Sequence, residues 1–165
     1  MATVQLAHLD AKLIYLALQY HLARPGSELD PETKQPMAHG LSEIARALEP
    51  QLERAVATIE LSEYQQQRLL EAIGGTMNEL KTYPLLDRLP PERGGGRRTA
   101  VPAFDAVLLR LFPEVEEDPE EASQLTAHFM GLRRRLVGAA AASFPAEEAS
   151  PPTRRPWWRF WERKK

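Results

Sequence analysis

The chain contains no cysteine. Disulfides, zinc–thiolate centres, iron–sulfur clusters and cysteine catalysis are therefore excluded at the outset. No apolar run approaches the roughly 18 residues that would suggest a membrane-spanning helix. The stretch Leu13 to Leu18 is short and follows Asp10 and Lys12, which is not the pattern of a secretory leader. A cytoplasmic location is expected. No run of alternating apolar and polar residues stands out as a strand, and no repeat recurs at solenoid spacing. Tryptophan is scarce and unevenly placed: the three in the chain are Trp157, Trp158 and Trp161.

What is present suits one packed domain. The 165 residues are 43% hydrophobic and 27% charged, enough apolar surface for a core without a metal or a disulfide. The net charge of −2 conceals a division along the chain. Residues 1–150 carry 15 basic against 22 acidic residues, a balance of −7, whereas residues 151–165 carry 6 against 1, a balance of +5. Two segments of opposite sign suit different partners. An acidic body is also a poor ligand for a polyphosphate backbone, so nucleic acid is disfavoured.

The apolar spacing predicts an all-α fold, a bundle of about five helices followed by a disordered C-terminal tail. The expected divisions are a helical bundle over 1–143, a flexible proline-rich linker over 144–156 and a Trp/Arg-rich amphipathic tail over 157–165. The first helix is read from Leu6, Leu9, Leu13, Leu16, Ala17 and Tyr20, with Ile14, Leu18 and Leu22 on a second face, which suits a central position or a subunit contact. A loop follows over 25–36, where Asp30-Pro31 suits the start of a short turn. The second helix is expected over about 37–60, with Leu41, Ile44, Leu48, Leu52, Val56 and Ile59 in phase and a bend at Pro50. Surplus apolar surface on these first two helices offers a route to self-association.

Ser62 with Gln65 forms the pattern of a capping box. It opens a third helix whose buried face is Leu69, Leu70, Ile73, Met77 and Leu80. Continuity through Gly74-Gly75 is favoured, with the glycines admitting a close neighbour, and Tyr83-Pro84 is read as the end. After the loop Pro90–Thr99, a short helix is expected over about 102–112. The last begins at Asp118-Pro119-Glu120-Glu121, where a cap, a proline and two acids meet the positive end of the helix dipole. It carries Leu125, Phe129, Leu132 and Leu136 inward and runs to about Ser143.

No motif nominates a catalytic residue, a cofactor or a metal. His8, His21, His39 and His128 lack the Glu-x-x-His and His-Glu-x-x-His spacings of metal-binding helices. His8 and His21 stand about 220° apart around a helix. The Gly94-Gly95-Gly96-Arg97-Arg98-Thr99 run lacks the lysine and the spacing of a phosphate-binding loop. Glu114, Glu116, Glu117, Asp118, Glu120 and Glu121 would repel DNA from a helix-turn-helix placed over 102–143. The expected class is a non-enzymatic adaptor or scaffold.

The C-terminal segment is the one feature that core formation does not readily explain. Arg154, Arg155, Trp157, Trp158, Arg159, Phe160, Trp161, Arg163, Lys164 and Lys165 are the candidate binding residues. Coiled as a helix, 157–163 would gather its four aromatic rings within an arc of about 160°, with Arg159, Glu162 and Arg163 opposite. Indole rings favour the headgroup region of a bilayer. Each basic residue near an anionic surface contributes about 1 kcal/mol, so the six together place affinity between about millimolar and micromolar before the aromatics add to it. A peripheral attachment to an anionic membrane surface is the first expectation. The alternative is a docking peptide for a partner protein's groove, since tryptophan and arginine dominate binding hot spots. Folding back onto the acidic run at 114–121 is the third.

Overall fold

The computed structural model describes residues 1–24, 40–87 and 101–143. Two strands and six helices follow one another within these segments: β1 (Ala2–Ala7), α1 (His8–Ala23), α2 (Leu41–Leu48), β2 (Val56–Leu61), α3 (Glu63–Asp87), α4 (Pro102–Leu111), the single turn α5 (Glu114–Glu117) and α6 (Glu121–Ser143). The expected helical bundle is present, with five helices longer than one turn.

α1 is the centre of that bundle. Ala11, Leu13, Ile14, Tyr15, Leu16, Ala17 and Leu18 are all buried, and only His8 and Leu9 of this helix are exposed. It packs against α2, α3 and α4, while α6 lies along α3. This accounts for apolar residues on two faces of α1: each face meets a different neighbour. Tyr83, Phe104 and Phe129, from α3, α4 and α6, are the largest fully buried side chains. The Tyr20 ring meets Phe104 edge-on, with centroids 5.3 Å apart.

Local signals settle α3. Ser62 Oγ accepts from the Gln65 N–H at 3.1 Å and Gln65 Oε1 accepts from the Ser62 N–H at 2.9 Å, the reciprocal pair of a capping box. The helix runs unbroken through Gly74 and Gly75. It does not stop at Tyr83-Pro84, as expected, but continues to Asp87 with Pro84 inside it. A proline in the last turns removes one backbone bond, while the fully buried Tyr83 beside it holds that turn against the core.

Two short strands accompany the helices, although no run stood out as one in the sequence. β1 and β2 pair antiparallel, from Ala2 opposite Leu61 to Ala7 opposite Val56. Ala57, Ile59 and Leu61 face inward while Val56, Thr58 and Glu60 face out, the period-two pattern of a half-buried strand. The helix expected over 37–60 ends instead at Leu48, and Pro50 lies in a 3-10 turn over Glu49–Gln51. Pro50 thus marks a break rather than a bend. Leu6 likewise belongs to β1, and the first helix begins at His8. Gly40 occupies the residue before α2 with φ of 70°, a left-handed conformation that a side chain disfavours.

The start of α6 follows the sequence closely. Asp118 Oδ1 accepts from the Glu120 N–H at 3.0 Å, and the first turn is tightened by bonds from Glu121 N–H to the Asp118 carbonyl and from Ala122 N–H to the Pro119 carbonyl. The expected loops over 25–36 and 90–99, the turn at Asp30-Pro31, the linker at 144–156 and the tail at 157–165 lie outside the described residues.

Candidate functional site

All ten candidate binding residues, from Arg154 to Lys165, fall outside the described residues, as do His39 and the Gly94–Thr99 run. The described body brings none of them together. Its remaining histidines are dispersed. His8, at the start of α1, lies 3.9 Å from Glu53, which also faces Lys12 at 3.9 Å. His21 is buried near the other end of α1, and His128 is exposed on α6. Among the described residues no three His, Asp or Glu side chains converge as metal ligands would, and no helix is long and apolar enough to cross a membrane.

The features sequence reasoning missed are tertiary. Arg135 on α6 hydrogen-bonds Asp10 at the start of α1. Gln66, buried on α3, donates from Nε2 to the Leu136 carbonyl at 2.7 Å and ties α3 to α6. Gln51 uses both ends of its amide on one strand residue: Oε1 accepts from the Thr58 N–H at 3.0 Å, and Nε2 donates to the Thr58 carbonyl at 3.2 Å. Partners so distant, or so dependent on an unrecognised strand, leave no local trace.

Two clefts flank the sheet. One, of about 220 Å³, runs along β1 beside α6 and is lined by Thr3, Gln5, Leu6, Asp10, Leu132 and Arg135 among others. The other, of about 380 Å³, lies by β2 and α2, where Glu43, Thr58, Glu60 and Gln65 contribute. The perturbed groups of the body belong to neither. Burial pushes the Tyr15 phenol above its ordinary range; Glu49 adds to this, and Arg110 opposes it. The Tyr20 phenol is raised mainly by burial, with Glu79 reinforcing and Arg24 countering. Both tyrosines sit in the packed interior, and their shifts reflect packing.

No protein-family model, curated protein or solved structure matches this chain.

Proposed function

We propose that the protein is a non-enzymatic adaptor whose C-terminal segment attaches a helical body to an anionic membrane surface. The reading is carried by one observation: all three tryptophans fall within 157–161, joined by Phe160 and bracketed by Arg154, Arg155, Arg163, Lys164 and Lys165. That composition combines interfacial aromatic anchoring with electrostatic attraction to acidic headgroups. The opposite sign of the body, −7 over residues 1–150, keeps it from competing for the same surface. Attachment of this kind is reversible and salt-sensitive.

A second reading uses the same residues as a docking peptide for a partner protein. It is favoured by the prevalence of tryptophan and arginine among interface hot spots, and by the proline-rich spacer that precedes them.

Vesicle binding separates the two. Because every tryptophan lies in the segment, indole emission reports on it alone. Emission is measured for the full chain, and co-sedimentation for the full chain and for a chain ending at Ser150, each with anionic and with neutral vesicles. Blue-shifted emission and pelleting that require anionic lipid and weaken with salt, with the pelleting lost on truncation, support the membrane reading. No shift with either vesicle rejects it and leaves the docking peptide.

A further inference from the structure

The two edges of the sheet are finished differently. Gln51 covers the middle of the β2 edge with its two bonds to Thr58. Those bonds also set the parity of the ladder. Thr58 stands opposite Gln5, and its main-chain groups turn toward Gln51 rather than across to β1. Thr58 and Gln5 are therefore a pair that exchanges no ladder bonds, and Gln5, like Thr3 two residues earlier, directs its N–H and C=O away from β2. Among the described residues no hydrogen bond meets these groups of Thr3 and Gln5. Beside them lies the cleft between β1 and α6, where Ala2 and Val4 also present partly exposed side chains.

The composition of this edge points to its occupant. Exposed edge strands normally carry a charge, a proline or a bulge that prevents further pairing. β1 reads Ala-Thr-Val-Gln-Leu-Ala and carries no charged residue or proline, whereas β2 carries Glu60 and the Gln51 cap. A strand placed beside its own copy across a two-fold axis sets like residues near like, so any charge on it would repel. The one charged pair in the cleft, Asp10 with Arg135, is already matched internally. A charged peptide gains little from such a cleft.

We propose that β1 pairs antiparallel with β1 of a second copy of this chain, about a two-fold axis at Val4, to form one four-stranded sheet in the order β2–β1–β1–β2. In this register Thr3 of each copy stands opposite Gln5 of the other, and the outward main-chain groups of these residues bond one another. The exposed Thr3 and Gln5 side chains pack as cross-strand neighbours, while Val4 meets its counterpart over the cleft. This interface involves neither the C-terminal segment nor the outer faces of the first two helices.

Sedimentation equilibrium of the full chain tests it, from about 1 to about 200 µM, the range in which a modest interface titrates. The expected mass rises toward twice 18.6 kDa. Two double variants, Thr3→Lys with Gln5→Lys and Thr3→Lys with Gln5→Glu, alter only exposed side chains, and circular dichroism and melting check that each is folded. The first places like charges opposite each other and is expected to weaken association at least about tenfold; the second places opposite charges there and is expected to restore it to within about threefold of wild type. A wild-type chain that stays at 18.6 kDa throughout overturns the proposal. So does a like-charge variant that associates as wild type does, or an opposite-charge variant that associates no better than the like-charge one.

Discussion

Gly75 on α3 lies so close to Tyr20 on α1 that a Cβ at position 75 would stand 2.7 Å from Tyr20 Cε1. The ring cannot swing aside freely. It is buried, meets Phe104 edge-on, and carries the Arg24 guanidinium 5.6 Å above its centroid. The neighbouring Gly74 has open space where its Cβ would be. Two adjacent glycines in one helix therefore have opposite roles: one is a contact between the two central helices, the other only weakens the helix.

Gly75→Ala should destabilise the protein by about 1–3 kcal/mol, the usual cost of overfilling a packed site. Gly74→Ala should stabilise it by up to about 1 kcal/mol through helix propensity. Urea unfolding of the two variants checks the pair; equal effects would show that α1 and α3 do not meet at Gly75.

Gln51→Ala removes both bonds to Thr58 and reopens the β2 edge. Because the site is exposed, the expected loss is about 0.5–1.5 kcal/mol, with faster amide exchange at Thr58 as the local signature. Slow exchange at Thr58 in the variant would show that the amide does not guard the edge.

Gln66→Ala leaves the Leu136 carbonyl without its buried side-chain donor and opens space between α3 and α6. A loss of about 1–3 kcal/mol is expected, from the lost buried hydrogen bond and a small cavity, since the Leu136 carbonyl keeps its place in the α6 ladder. Thermal unfolding measures it, and a change below about 0.5 kcal/mol would place Gln66 among ordinary surface positions.

Alkaline pH should unfold the protein through its buried phenols. Tyr15 and Tyr20 hold their protons above the ordinary tyrosine value of 10.0 in the folded state, so the unfolded chain releases them first. Their contribution is fully present below pH 10 and is lost as pH rises beyond it, since the folded state then binds more protons than the unfolded one. Denaturant midpoints followed from neutral to strongly alkaline pH should fall above this point. Tyr20→Phe should flatten the fall. A midpoint independent of pH in that window would contradict the burial of both rings.

The elements legible in the sequence were those with local causes. Ser62 and Gln65 sit three residues apart and form their reciprocal bonds; Asp118 opens α6 through a bond two residues away. α1 was recognisable as central because apolar residues ran around it. The strands were not legible, because Leu52, Val56 and Ile59 fit a helical spacing as well as Ala57, Ile59 and Leu61 fit a strand's, and short apolar segments satisfy both templates. Pro84 misled in the opposite sense, since a local helix breaker was overridden by the burial of Tyr83. Asp10 and Arg135 lie 125 residues apart, a distance over which no periodicity acts. The proposed binding segment rests on composition alone, its residues lying beyond α6.

The functional reading depends on a body that closes its core without the last fifteen residues of the chain. The most direct measurement is the unfolding free energy, by urea at neutral pH, of the full chain against a chain ending at Ser150. Agreement within about 0.5 kcal/mol, the range of changes remote from the core, is expected. A loss of about 2 kcal/mol or more on truncation would show that the tryptophans belong to the fold, and would contradict their assignment to an outside surface.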